Sequence, residues 1–340
     1  MKSHFQTLAI GALTVGLMGF FLRNAELGQV WAAVRSADGD LLLLSLTLTA
    51  LSYVLRIERW RYLLKPIRHT SFDSAGRATA IGFAANALLP GRVGEVLRPY
   101  ILARRESISG SAAFATVVLE RLFDLFAIVL LVAGFVALFD FPTADPGLVG
   151  LVQAGAMATA AIGGVGAGLV IVVASNPERA ARAALRCGKL APGGLGHVVT
   201  AAVQRFLVGL AVVKRPDLLA LAMALSLMLW AVAAWSIWAA AVAFGIGVSF
   251  GGAIVLLGLV ALGVAVPTPA GVGGYHAAFQ FGATALYGAR DDQAVGAALV
   301  MHMISFGPVT VMGLCFLAQE GLQLRGLSSL ATQVDEGSAS

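Results

Sequence analysis

The sequence predicts an all-α polytopic membrane protein, and three observations lead to that class. Of its 340 residues, 59% are hydrophobic and 12% are charged, whereas soluble domains carry about 25% charged residues. The mean hydropathy is +0.86. The apolar residues form long runs, and the 23 basic residues fall mainly in the gaps between them. This pattern excludes most soluble enzymes, and it argues against nucleic-acid binding because the basic residues form no continuous patch.

The apolar runs fall into two length classes. Six of them reach the length of about 20 residues that a helix needs to cross the hydrocarbon core. These six lie at residues 5–22, 40–57, 112–138, 150–174, 217–244 and 295–318. The runs 76–89, 252–266 and 275–288 are shorter. A helix of such length reaches only about 21 Å, against a core of about 30 Å, so we expect half-helices there.

Proline and glycine interrupt the chain beside each half-helix. Pro90 and Gly91 come directly after the first, and Pro267 and Pro269 stand between the other two. Because proline removes a main-chain donor and glycine tolerates unusual dihedrals, we predict helix breaks at these residues. Irregular backbone at membrane depth is tolerated where it is buried in protein or lines a wet cavity. The sequence therefore predicts two re-entrant pairs of broken half-helices.

The basic residues predict the orientation. If both termini are cytoplasmic, 19 basic residues lie on that side and 3 on the other, as the positive-inside rule requires. The order span, span, broken pair, span then occurs in opposed halves, at about 1–138 and 150–318, of one domain covering 1–320. Such an inverted repeat places a transport site near the midplane. A short polar tail, 321–340, comes last, and within 177–213 the arginines predict an amphipathic helix on the inner surface.

Charged residues occur inside the span 112–138, where Glu120, Arg121 and Asp124 lie near the middle. Each would cost about 2.5–3.5 kcal/mol at the bilayer centre unless it is paired or hydrated. Arg121 can reach Asp124, which is three residues away on the same helix. Two interpretations stay open: a structural ion pair that fixes this span to a neighbour, or the polar wall of a substrate path.

Polar residues also surround both breaks. Near the first, we expect Glu95 to pair with Arg98, and Arg92 suits a phosphate or, alternatively, ordinary lipid headgroups. At the second, the main-chain amides at the start of a half-helix favour an anion. His276 is there either a ligand or a satisfied polar contact. The candidate headgroup path therefore comprises Asn86, Arg92, Glu95, Arg98, Glu120, Arg121, Asp124, Thr268, Gly271, Gly273, Tyr275 and His276.

Other patterns predict less. The basic stretch 56–68, which includes Trp60, is interpreted as an anchor at the cytoplasmic membrane interface. The sequence contains no GxxxxGK[ST] loop, no HExxH and no paired CxxC. We therefore predict neither a cofactor nor a metal site.

Four motifs carry a resemblance to a known family. They are Arg56-Ile57-Glu58-Arg59-Trp60, then Asn86 with Leu89–Glu95 and Arg98, then Glu120–Asp124, and finally Pro267–Gly273. On these residues the chain, over about 5–320, resembles the flippase-like family built on the transmembrane region of lysylphosphatidylglycerol synthases. The family pattern at the last motif is a Pro-Gly-Gly-x-Gly turn followed by Glu. This chain has Ala270 in place of a glycine and His276 in place of that Glu.

The resemblance implies an integral inner-membrane protein that moves aminoacylated phospholipids, or related lipid-linked molecules, between leaflets, and the arginines of the candidate path add anionic phospholipids to the expected substrates. Its partners would be membrane lipids. Family members that make lysylphosphatidylglycerol have a separate synthase domain, which we expect to be absent here, so the chain is not predicted to be an enzyme. Two alternatives stay open: an ion-coupled secondary transporter of a small solute, and an accessory subunit of a lipid- or glycan-modifying enzyme.

Overall fold

The computed structural model describes residues 2–23, 25–89, 92–138, 204–266 and 268–320, with isolated positions between 147 and 182. Side chains are described from residue 11 onward, except at 136–138. Every described secondary-structure element is helical, which confirms the predicted all-α class. Several predictions fall outside the described residues: the breaks at Pro90, Gly91 and Pro267, the tail 321–340, and most of the span 150–174 and of the surface helix within 177–213.

The first part of the chain contains helices α1 (Lys2–Leu22), α2 (Leu27–Ser36), α3 (Gly39–Leu64), α4 (Phe72–Leu88), α5 (Gly94–Glu106) and α6 (Gly110–Leu138). Two of these helices, α3 and α4, begin after a polar capping residue. Asp38 accepts hydrogen bonds from the first-turn amides of α3, and Ser71 does so for α4. Helix α4 ends where Leu89 adopts an extended conformation, as expected for a residue before proline.

The second part contains α7 (Pro216–Ala243), α8 (Phe250–Ala265), α9 (Gly274–Tyr287) and α10 (Asp291–Gln319), with a 3-10 turn at Pro269–Gly271. Proline occupies the first position of α7, where its missing N–H costs nothing. Ser249 caps α8, and Gly288 ends α9 in the left-handed conformation.

Helix length separates two groups of helices. By length and apolar composition, α3, α7 and α10 are able to cross a membrane. Helices α4, α8 and α9 have only 17, 16 and 14 residues, and their bounds lie within four residues of the predicted half-helices. The short helix α2 was not predicted, because its ten residues are too few to form an apolar run of membrane-spanning length.

The short helices form two hairpins, which we call the first hairpin (α4 and α5) and the second hairpin (α8 and α9). In each hairpin the two helices approach each other closely at a pair of glycines. A Cβ atom on Gly94 would lie 1.9 Å from the main-chain oxygen of Gly82, and one on Gly274 would lie 2.2 Å from that of Gly263. Around the hairpins, α7 packs along α3 and α10 packs along α4. The two hairpins are thereby held against long apolar helices.

Candidate functional site

A cavity of about 740 Å³ is lined by residues from every helix from α3 to α10. This volume is in the usual range for ligand sites. Its wall is mostly aliphatic and aromatic, and its polar residues include two groups. One is charged and consists of Arg56, Arg92, Glu95, Arg121 and Asp124; the other carries the hydroxyls of Ser45, Thr49, Ser52 and Ser236.

Arg59 is the centre of an ion network behind the charged wall. Its side chain is fully buried, and its two Nη atoms lie 2.6 Å from Asp124 Oδ1 and 2.8 Å from Glu120 Oε1. Arg59 also donates to Ser226 Oγ at 2.8 Å. Because a buried charge is tolerated only when it is paired and hydrogen-bonded, this arginine fixes α3 to α6 and α7.

The network continues to the first hairpin through Arg98 of α5. Arg98 Nη1 lies 2.7 Å from Glu120 Oε2, and its guanidinium lies 3.8 Å from the centroid of the Trp60 ring. The indole of Trp60 is itself buried and donates to Thr116 Oγ1 at 2.9 Å. Glu120 therefore accepts from arginines of two different helices, and it connects the first hairpin to α3.

The arginines that face the cavity are paired more loosely. Arg56 and Arg121 approach the same atom, Asp124 Oδ2, at 3.5 and 3.4 Å. Glu95 Oε2 lies 3.7 Å from Arg121 Nε. The guanidinium of Arg56 also faces the rings of Phe83 and Trp230 at 5.7 and 5.6 Å. The described cavity wall thus carries three arginines and two carboxylates, and one of those carboxylates already has the tightly bound Arg59 behind it.

The first break contacts the second hairpin through Arg92. The side chain of Arg92 donates to the main-chain oxygen of Val264, in the last turn of α8. Arg92 has a positive φ of 56°, which is uncommon for a residue with a side chain and marks a constrained position. On the other side, α4 packs against the 3-10 turn at Pro269–Gly271. The two irregular segments therefore lie next to each other at the cavity.

His276 has a defined structural contact at the second break. It is 2% exposed, and its Nδ1 accepts a hydrogen bond of 3.3 Å from the amide of Gly273, just before α9. A Glu or Gln three residues into a helix makes the same bond in a capping box. The histidine ring also makes tilted contacts with the rings of His302 and Phe21, at centroid distances of 4.6 and 5.1 Å. His276 thus caps α9 through its side chain.

Not all predicted site residues line the cavity. Arg98 and Glu120 lie behind its wall, and Gly273 and His276 lie at the cap of α9. The predicted residues that do line it are Asn86, Arg92, Glu95, Arg121, Asp124, Thr268, Gly271 and Tyr275. Among the described residues, no three His, Cys, Asp or Glu side chains gather in a set suited to a metal ion.

Two predictions about pairs and anchors are wrong. Arg98 pairs with Glu120 rather than Glu95, because the start of α5 directs Glu95 toward the cavity and Arg98 toward α6. The interface anchor assigned to 56–68 does not hold for Arg56, Arg59 and Trp60. Helix α3 continues to Leu64, so these residues pack inside the protein instead of at its surface.

Sequence comparison is consistent with this architecture. A family model described as the lysylphosphatidylglycerol synthase TM region matches residues 7–313. The chain belongs to this family of membrane proteins. It is also 29% identical over 205 residues to the glycosyltransferase AglD of Haloferax volcanii, an alignment that covers 58% of this chain and 30% of AglD. The chain therefore spans less than a third of that relative.

Proposed function

We propose that this protein moves phospholipids or lipid-linked molecules between the two leaflets, with the headgroup passing through the cavity and the acyl chains staying in the lipid. One observation carries the proposal. In a cavity with a mainly apolar wall, Arg56 and Arg121 share one carboxylate oxygen, Asp124 Oδ2, at 3.5 and 3.4 Å, and the other carboxylate near Arg121, Glu95, is 3.7 Å away. These arginines have donor capacity left for a phosphate, which guanidinium groups bind well.

The relation between the hairpins supports the same proposal. When Pro90–Gly94 is aligned with Pro269–Gly273, Arg92 corresponds to Gly271. Arg92 has a positive φ of 56° and Gly271 has one of 70°, and the nearby Ala270 and Gly273 also have positive φ. A glycine pair permits the close crossing in each hairpin. We propose on these grounds that the halves form an inverted repeat, that the hairpins enter from opposite leaflets of the inner membrane, and that both termini are cytoplasmic. The proposal assigns no chemical reaction to the chain.

The test is a leaflet assay with purified protein in vesicles. Acyl-labelled phosphatidylglycerol is included, and a membrane-impermeant reductant bleaches the outer leaflet. Arg56→Gln and Arg92→Ala remove cavity guanidiniums. Because a hydrogen bond to a charged group contributes about 1.5–3 kcal/mol, we expect Arg56→Gln to slow lipid crossing about tenfold or more.

Arg61→Gln is the matched control. Arg61 lies on the same helix but away from the cavity. It pairs with Glu58 at 2.7 Å and donates to the main-chain oxygen of Thr70 at 3.0 Å, and the side chains of Arg61 and Glu58 are about one-third exposed. We expect its vesicles to match the wild type. Equal rates for wild type, Arg56→Gln and protein-free vesicles would reject lipid translocation. A solute transporter or an accessory subunit would give that result.

A further inference from the structure

We infer that the headgroup carried by this protein bears hydroxyl groups beside its phosphate rather than an amine, and that Ser45, Thr49 and Ser236 form the subsite that recognises those hydroxyls. We call these three residues the hydroxyl cluster. The inference rests on the proposed function and narrows its substrate class to phospholipids with polyol or sugar headgroups.

The hydroxyl cluster joins α3 to α7 at the cavity wall. Ser236 Oγ lies 2.9 Å from both Ser45 Oγ and Thr49 Oγ1, and it also lies 2.9 Å from the main-chain oxygen of Ser45. All three residues line the cavity. Because Ser236 donates to the main-chain oxygen of Ser45, Ser45 Oγ and Thr49 Oγ1 each donate to Ser236 Oγ. Their donors are used within the cluster, and their remaining lone pairs can accept hydrogen bonds from the hydroxyls of a ligand.

The cluster lies on the same face of α3 as the cavity arginine. Ser45, Thr49, Ser52 and Arg56 follow one another at helical spacing, and all four line the cavity. Seven residues separate Thr49 from Arg56, which corresponds to about 10 Å along a helix axis. A phosphate at Arg56 with a sugar-sized group attached to it would reach the hydroxyl cluster.

The charged wall disfavours an amine. Asp124 Oδ1 accepts from Arg59 at 2.6 Å and from Trp230 at 2.9 Å, while its other oxygen faces Arg56 and Arg121. Glu95, the other described carboxylate at the cavity, lies nearest to Arg121. An ammonium group that approached either carboxylate would therefore meet arginines at close range, and the like charges would repel it.

The experiment compares three acyl-labelled lipids in vesicles: phosphatidylinositol, phosphatidic acid and phosphatidylethanolamine. Thr49→Val keeps the side-chain shape and removes the hydroxyl. One hydrogen bond contributes about 0.5–1.5 kcal/mol. We therefore expect Thr49→Val to lower the rate at which phosphatidylinositol crosses the bilayer about threefold to tenfold, and to leave the rate for phosphatidic acid unchanged. Thr49→Ser should restore the wild-type rate. In the wild type, phosphatidylethanolamine should cross more slowly than phosphatidylinositol.

Thr47→Val is the matched control, because Thr47 lies on the exposed face of α3 and bonds only to the main chain of its own helix among described contacts. It should change no rate. If Thr49→Val slows all three lipids equally, the hydroxyl cluster only holds α3 against α7 and the inference fails. If phosphatidylethanolamine crosses as fast as phosphatidylinositol in the wild type, the exclusion of amines is wrong.

A binding measurement separates this inference from the proposed function. The melting temperature of the detergent-solubilised protein is recorded with glycerophosphoinositol and with glycerophosphoethanolamine. Preferential stabilisation by the first, lost in Thr49→Val, supports the subsite even if no lipid crosses the vesicle membrane. Equal stabilisation by both compounds, or none by either, overturns the subsite even if lipids cross.

Discussion

The two hairpins share a backbone design but differ in the chemistry that holds them. In each, a pair of glycines permits a crossing so close that a Cβ atom would collide with a carbonyl oxygen. Positive φ occurs in both breaks, at Arg92 among the described residues of the first and at Ala270, Gly271 and Gly273 in the second. The backbone geometry therefore requires small residues at the crossing and left-handed residues in the break. The side chains around it can differ between the two hairpins.

Ion pairs attach the first hairpin to its neighbouring helices, whereas contacts between aromatic side chains attach the second. Arg98 of the first pairs with the buried Glu120 at 2.7 Å. In the second, Tyr275 packs edge-on against His302 and Phe306 of α10 at 5.2 and 6.0 Å. His302 also contacts the main-chain oxygen of Ala270 at 3.1 Å. The charge of the cavity therefore comes mainly from one half of the chain, and the other half supplies shape and hydrogen-bonding groups.

The largest expected effect comes from removing the charge that holds the first hairpin. Glu120→Gln leaves the buried Arg98 without its carboxylate partner, while Arg59 keeps Asp124. Breaking a buried ion pair in this way costs about 3–5 kcal/mol. We expect a loss of that size in the free energy of unfolding, measured by SDS titration in mixed micelles.

Glu58→Gln serves as the control for Glu120→Gln. Glu58 pairs with Arg61 on the same helix, and both side chains are 32% exposed. Surface pairs of this kind contribute about 1 kcal/mol or less. Similar losses for the two variants would show that the buried network does not hold the first hairpin.

Sequence patterns predicted the backbone of the hairpins better than their chemistry. Proline positions limit helix length locally, so α4, α8 and α9 were predicted within a few residues of their bounds. The role of Arg59 depends on the packing of α3 against α6, which the sequence does not reveal. The basic character of residues 56–68 instead led to the prediction that Arg59 lies at the membrane surface. The hydroxyls of Ser45 and Thr49 were missed, although their helical spacing to Arg56 is visible in the sequence.

A second prediction tests whether the crossing geometry is equivalent in the two hairpins. In Gly94→Ala and Gly274→Ala the new methyl group would lie 1.9 and 2.2 Å from a carbonyl oxygen. Because overpacking costs about 1–3 kcal/mol, both variants should lose stability by similar amounts in the same titration. Gly134→Ala in α6, where no atom lies within 4 Å of the added Cβ, should not be destabilised. A large loss in one hairpin alone would contradict the shared design.

The smallest expected effect concerns the cap of the second hairpin, where His276 accepts from the amide of Gly273. Gln at this position can still accept from the Gly273 amide, whereas Met has similar length but only a weak acceptor. We therefore expect His276→Gln to be more stable than His276→Met by about 1 kcal/mol, the usual contribution of one capping bond. Both changes remove the same ring contacts with Phe21 and His302, so their difference isolates the cap. If Met proved equal or better, burial of the ring rather than the hydrogen bond would explain why histidine is accepted there.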